Sequence, residues 1–235
     1  MKINVGSLPR DASESRGVTI VIDVFRAFTT AAIAFHRGAS QITLVAEAED
    51  ALSLYKSGYA NLLMGEVGGA KPNGFDLGNS PHEASIYDFE GKHIVQSTRN
   101  GTVGATAASQ TASHIFLGSF IVAKATVNQI LKMDPEEVSI IAMGDQGVMK
   151  SDEDEQCAFY LRNLLEGRDP NTDAISDLIY TAGATQKFYD SSKPQYLPQD
   201  VDWALKFNHY NFSMQAFKED GHLIARKLVS DSEPI

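Results

Sequence analysis

The 235-residue chain carries 20 basic and 30 acidic side chains, a formal net charge of −10, and 43% of its residues are hydrophobic. That content suits a folded domain with a substantial core, and the acidity argues against a nucleic-acid or anionic-membrane partner, because such partners demand a basic surface. Uncharged apolar runs reach only about a dozen residues against the roughly 20 needed to span a bilayer, no basic-then-apolar leader opens the chain, and the one cysteine, Cys157, has no partner for an internal disulfide, so a cytoplasmic protein is expected.

In chain order, short β-branched runs at Thr19–Asp23, Gln41–Ala46, Leu62–Gly65, His93–Gln96, His114–Gly118 and Glu137–Met143 read as strands. Amphipathic or Ala-rich helical patterns separate most of them, and this alternation predicts a three-layer α/β/α fold around a mixed sheet. A polar loop at Tyr189–Gln199, with Pro194 and Pro198, precedes a last strand at His222–Val229. No linker divides the chain, so residues 1–235 read as a single compact unit with a C-terminal extension from about 190 to 235.

Residues 21–45 and 94–118 align without gaps, with eight identical positions that include Arg26/Arg99 and Thr29/Thr102. Two duplicated halves would account for this, and so in part would the shared Ala-rich composition of two helices. A duplication would give two equivalent loops, each presenting an arginine three residues before a threonine at a helix start.

Four segments leave an apolar run through a loop and enter a helix, the setting in which open α/β sheets bind ligands. The first is VIDVFRAFTT at 21–30, where Asp23 is placed for a metal and Arg26 for an anion near the helix start at Thr29. It reads equally as an Asp–Arg ion pair with Thr29 as an N-cap. The second is GEVGGAKPNGFDLGNSPHE at 65–83, with five glycines between Gly65 and Gly78. Its backbone can approach a ligand closely, and Glu66 and Asp76 are hard oxygen donors suited to Mg²⁺. Its Ser80-Pro81-His82-Glu83 end is a capping box with proline at the first helical position, which makes Ser80 a cap rather than a nucleophile and leaves Asn79 free for a ligand.

The third segment, STRNGTVG at 97–104, offers Arg99, Asn100, the Gly101 N–H and Thr102 as an oxyanion cradle, although Asn100-Gly101 also suits a simple tight turn. It lacks the Lys-Ser/Thr ending of a nucleotide-binding loop. The fourth, AMGDQGVMKSDEDEQCA at 142–158, contains a Ser151/Asp154 capping box, but four consecutive acids exceed what capping requires. Asp145, Glu153 and Asp154 are its candidate metal ligands. The six histidines show no paired spacing and Cys157 falls on an apolar helix face, so zinc and thiol chemistry are disfavoured and hard-metal phosphate chemistry remains.

Together these segments resemble the 2-phosphosulfolactate phosphatase family, on VIDVFRAFTT, GFDLGNSP at 74–81, NGT at 100–102 and EDEQCA at 153–158, and also on LPQDVDWAL at 197–205 and DGHLIAR at 220–226. The resemblance implies a Mg²⁺-dependent hydrolase acting on a small, highly anionic phosphate ester. In that reading Asp23, Arg26, Glu66 and Asp145 are catalytic. The substrate is held by Arg26, Thr29, Asn79, Arg99, Asn100, Gly101 and Thr102, and the metal draws on Asp23, Glu66, Asp76, Asp145, Glu153 and Asp154. Val67 departs from the family pattern, which has a basic residue there. Two alternatives stay open, a phosphatase for another small phosphorylated acid and a non-catalytic protein that binds an anionic metabolite. A homodimer is the default assembly for such an enzyme.

Overall fold

The computed structural model describes residues 1–229. Among these the elements follow in the order β1 (Lys2–Ser7), α1 (Leu8–Glu14), β2 (Val18–Ile22), α2 (Ala27–His36), β3 (Gln41–Val45), α3 (Ala48–Lys56), β4 (Leu62–Gly65), α4 (Pro81–Ile86), β5 (His93–Ser97), α5 (Gly101–Ala108), β6 (His114–Gly118), α6 (Ala123–Met133), β7 (Glu137–Ala142), α7 (Asp152–Leu165), α8 (Thr172–Thr181), α9 (Gly183–Gln186), α10 (Pro198–Ala204), β8 (Phe212–Glu219) and β9 (His222–Val229). No helix among the described residues is long and apolar enough to cross a membrane.

The strands form one mixed sheet in the order β1-β7-β2-β6-β8-β9-β3-β5-β4. β1, β7, β2 and β6 run parallel to one another, as do β3, β5 and β4. The β8–β9 hairpin joins the two groups through three antiparallel pairings, so the groups run in opposite directions. The similar segments 21–45 and 94–118 occupy β2–α2–β3 and β5–α5–β6, which cross the sheet centre in opposite senses.

Side-chain alternation along the strands sorts the core into layers. Val21, Ile42, Leu62, Ile94 and Leu117 point to one face, where they meet α2 and α5. Ile20, Ile22, Val138 and Ile140 point to the other and pack on α6 and α7, while Leu63 and Val95 pack under α3. The result is helices on both faces of the sheet, the three-layer arrangement that the alternation predicted. α2 is buried from Ala27 to Phe35, and its apolar composition all round fits a helix enclosed by its own domain. Cys157 packs in the α7 core, and the apolar setting raises its thiol pKa, as expected for an inert thiol.

The sequence reading missed β1 and β8. β8 sits inside the sheet with Phe212 to Ala216 all buried, so its polar Ser213 and Gln215 face protein rather than solvent and blur the period-2 pattern. The stretch read as an extension is therefore central to the sheet, and its residues 230–235 lie outside the described residues.

The end of β4 presses directly on β5. A Cβ at Gly65 would lie 2.0 Å from the Ser97 carbonyl oxygen, a backbone atom with no freedom to move aside. Gly65→Ala is expected to lower the unfolding free energy by about 1–3 kcal/mol, the usual cost of overpacking, read from urea unfolding.

Candidate active site

A cavity of about 280 Å³ opens where the loops after β2, β4, β5 and β7 converge. Asp23 and Arg26 come from the first loop, Glu66, Gly68, Gly69 and Asn79 from the glycine-rich second, Arg99 and Asn100 from the third, and Asp145 and Gln146 from the fourth. The far wall is Lys187, Lys193, Gln195 and Tyr196, from the segment between α9 and α10. Placement at strand carboxyl ends follows the rule for ligand sites in α/β sheets.

Asp23 lies between two helix starts. One carboxylate oxygen accepts the Ala27 N–H at 2.9 Å and the other accepts the Gly101 N–H at 2.8 Å, tying α2 to α5. A Cβ at position 101 would sit 2.9 Å from Asp23 Oδ2, so the glycine permits this approach. Burial pushes the Asp23 carboxyl up to about 6, with the Glu66 charge adding to the rise while the two N–H groups and Lys187 oppose it. Glu66 also bridges loops, accepting the Arg99 N–H at 2.8 Å and the Gly69 N–H at 2.7 Å.

Asn79 and Asn100 line the same cavity, and each has a buried Oδ1 without a hydrogen-bond partner. Arg99 stands half-exposed at the rim, 4.0 Å from Glu47. The cavity thus brings together Asp23, Glu66, Asn79, Arg99, Asn100 and Asp145 from the four segments.

Other expectations need correction. Arg26 is an internal fastener, 3% exposed and paired at 3.0 Å with Asp200, which is 0% exposed. It also donates to the Gln195 carbonyl at 2.9 Å and the Gly69 carbonyl at 2.8 Å, and its guanidinium faces the Tyr196 ring at 4.8 Å. The ion-pair reading of Arg26 is thus the better one, with Asp200 rather than Asp23 as partner. Thr29 donates to the Val24 carbonyl, and Thr102 donates to the Thr98 carbonyl and accepts the Thr98 N–H, so both hydroxyls are consumed locally and neither lines the cavity. The Gly101 N–H is spent on Asp23 rather than on a ligand.

The pool of six metal-binding carboxylates is likewise not assembled. Among the described residues no three histidine, cysteine or acidic side chains gather so as to hold a metal ion. Asp76 is exposed outside the cavity and accepts the Leu63 N–H at 2.8 Å. Asp154 lies beneath the floor, accepting the Val24 N–H at 2.8 Å and the Gly144 N–H at 2.9 Å, which clamps the ends of β2 and β7 together. It does not form the expected capping box, since the Ser151 hydroxyl makes no cap bond. Glu153 is also buried beneath the floor, with Oε2 unpartnered, and burial pushes its carboxyl up to about 7. Ser80 is a cap as expected, accepting the Glu83 N–H at 3.2 Å, and its hydroxyl donates to Asp200 at 2.6 Å.

Lys187, Lys193, Gln195, Tyr196 and Asp200 escaped the sequence reading. Their segment has no strand–loop–helix pattern, and the available signal was the LPQDVDWAL stretch, which contains Asp200.

Comparison with known proteins matches residues 6–211 to a family model described as 2-phosphosulpholactate phosphatase. A probable 2-phosphosulfolactate phosphatase of Bacillus subtilis (strain 168) is 34% identical over 209 residues, 88% of this chain and 89% of the relative. One of the same description from Carboxydothermus hydrogenoformans is 37% identical over 240 aligned positions, covering 95% of this chain and 97% of the relative. Another, from Deinococcus radiodurans, is 40% identical over 147 residues, 63% of this chain and 60% of the relative.

Two predictions concern the buried charges. Arg26→Met strands the Asp200 carboxylate and is expected to cost about 3–5 kcal/mol of stability, and the double variant Arg26→Met/Asp200→Asn should recover part of that loss in denaturant unfolding. Glu153 is raised from its ordinary 4.5 to about 7, so the folded state holds its proton more tightly than the unfolded chain does. Its contribution is most favourable below the unfolded value and is lost as pH rises through 4.5 to 7. Glu153→Gln should therefore raise stability at pH 8 by on the order of 1–3 kcal/mol and change it little at pH 4, read from melting curves at the two pH values.

Proposed function

This chain belongs to the 2-phosphosulpholactate phosphatase family, and on that premise we propose that it is a phosphoric monoester hydrolase that converts 2-phosphosulfolactate to sulfolactate and phosphate with the help of Mg²⁺. The observation that carries the reading is the donor set of the cavity. Asp145 contributes a carboxylate for the ion and Asp23 a second one, kept for the attacking water, while Asn79 and Asn100 each bring a buried Oδ1 with no other partner. These are hard oxygens. Mg²⁺ is commonly held by one or two carboxylates together with waters and substrate phosphate rather than by a full protein cage, so one carboxylate with two amide oxygens fits it, while Glu66, the third acid of the lining, has both oxygens taken up by backbone N–H groups. Bound there, the ion would polarise the phosphoryl group and offset the charge that develops on it.

The chain's own residues would do the rest. Asp23 is locked in orientation by the N–H groups of Ala27 and Gly101. With a carboxyl raised to about 6, it is mainly ionised at neutral pH yet basic enough to orient an attacking water and take its proton. The side-chain amides of Asn79 and Asn100 can each turn a donor toward phosphoryl oxygens, and Arg99 at the rim suits a second acidic group of the ester. Glu66 acts by holding the glycine loop against the third loop, so that Asn100 and Arg99 keep their positions. A substrate with several negative charges accounts for cations placed around the mouth of an otherwise acidic protein.

Val67 favours a second reading of the substrate. It is exposed beside the site, where the family pattern supplies a basic residue, and a charge-assisted hydrogen bond is worth about 1.5–3 kcal/mol. A smaller phosphorylated acid, with one anionic group fewer, would suit a site that lacks this cation.

The deciding assay is phosphate release from 2-phosphosulfolactate and a panel of small phosphate esters, with Mg²⁺ and with EDTA. Release that EDTA stops is the expected result, whereas no release from any ester by folded protein would leave an anion-binding protein. Asp23→Asn should lower kcat by at least about 100-fold, the scale of a lost general base, while the protein still unfolds cooperatively at a somewhat lower melting temperature, because the amide can accept only one of the Ala27 and Gly101 N–H groups.

A further inference from the structure

The cavity presents four cationic side chains, and they differ in what they have free to offer an anion. Arg26 has its guanidinium engaged by Gln195, Asp200 and Gly69. Arg99 is at the solvent rim beside Glu47. Lys193 is half-exposed and 3.5 Å from Asp190. Lys187 is the exception, because its side chain is only 19% exposed and its nearest acidic atom is Asp145 Oδ2 at 3.8 Å, beyond hydrogen-bond reach. An ammonium has three donors and a strong need to use them when removed from water.

The surroundings hold this lysine in place. Phe188, next in the chain, is 1% exposed and packs against Phe25 of the first loop at 4.9 Å and Tyr196 at 5.3 Å. The Lys187 ammonium passes 5.2 Å from the centre of the Tyr196 ring. The same wall is fastened to the glycine loop by Arg26, which donates to carbonyls of both. Lys187 is thus presented to the cavity on a rigid aromatic frame, close enough to Asp23 for the two charges to act on each other.

We propose that Lys187 is the cation that receives the phosphoryl oxygens of the substrate, the part that the sequence pattern suggested for Arg26. The proposal deepens the phosphatase reading and rests on it for the nature of the ligand. Moving from Asp145 to a phosphoryl oxygen breaks no hydrogen bond of Lys187 and gains charge-assisted ones. It also takes the ammonium away from the Asp145 carboxylate when the ester arrives, leaving that already part-exposed group its full charge for other ligands. Arg26, in contrast, is a positioning residue, which sets the wall that carries Lys187.

The test compares wild type, Lys187→Met and Lys187→Arg in steady-state turnover of the best ester and in calorimetric titration with inorganic phosphate in the presence of Mg²⁺. Expected results are a KM and a phosphate dissociation constant raised at least about tenfold in Lys187→Met, consistent with loss of a charge-assisted bond, and substantial recovery in Lys187→Arg. A merely structural counter-ion would instead shift the melting temperature and leave KM and phosphate affinity within about twofold of wild type, which overturns the proposal. The titration separates the two readings. If wild type turns over no ester but binds phosphate and Lys187→Met does not, the phosphatase reading fails and the Lys187 site stands. If wild type binds no phosphate, or both proteins bind it equally, the Lys187 site is wrong whatever the turnover.

Discussion

The buried pair of Arg26 and Asp200 is the interaction on which the rest of the site depends. Asp200 accepts from Arg26, from the Ser80 hydroxyl and from the His82 N–H, so one carboxylate joins the first loop, the end of the glycine-rich loop and α10. Arg26 extends the join to Gly69 and Gln195. Two charges so far removed from water are tolerable because their polar atoms are engaged. The geometry they impose puts a segment from late in the chain against loops from early in it, and the cavity is the space left between them.

A second constraint is electrostatic. Asp23, Glu153 and Asp154 are all buried near one another, and each is raised above its ordinary value first of all by loss of solvent. Backbone N–H groups meet both oxygens of Asp23 and of Asp154, whereas Glu153 keeps one oxygen without a partner. An arrangement of this kind is poor for stability and useful for chemistry, since a carboxylate with a raised pKa is a better base. Lys187 is the cation whose charge reaches both Asp23 and Glu153.

The fold was legible where local pattern and tertiary setting agree. Seven strands follow from β-branched runs, and the strand–loop–helix units pointed to Asp23, Glu66, Asn79, Arg99, Asn100 and Asp145 at the cavity. β8 was hidden because both of its faces are covered, so polar Gln215 has no solvent to signal. Among site residues, four of the errors share one cause. Asp76 in its loop, and Thr29, Thr102 and Asp154 in the first turns of helices, are polar groups near strand ends, and they resemble ligand contacts until neighbouring backbone groups are found to claim them. Lys187 could not be found from local pattern at all, because its relation to the site comes only from the path of the chain, and the signal for Asp200 was confined to the LPQDVDWAL stretch.

The position of the β8–β9 hairpin bears on how such a chain reaches its native state. Both strands that flank the hairpin, β6 and β3, are made well before it and each must wait for it with one edge unpaired. The β3-β5-β4 ladders join segments near one another in the chain, such as Leu62 with Ile94 and Gln41 with His93, whereas β1-β7-β2-β6 already pairs Lys2 with Glu137 and the seam pairs Ile115 with Ala216 and Ile42 with Ala225, which is slow in the way that high contact order is slow. Until that seam closes, two open edges of apolar strands are available to other chains. The centre of the sheet, which is the most protected part of the folded molecule, is therefore its most vulnerable part during synthesis.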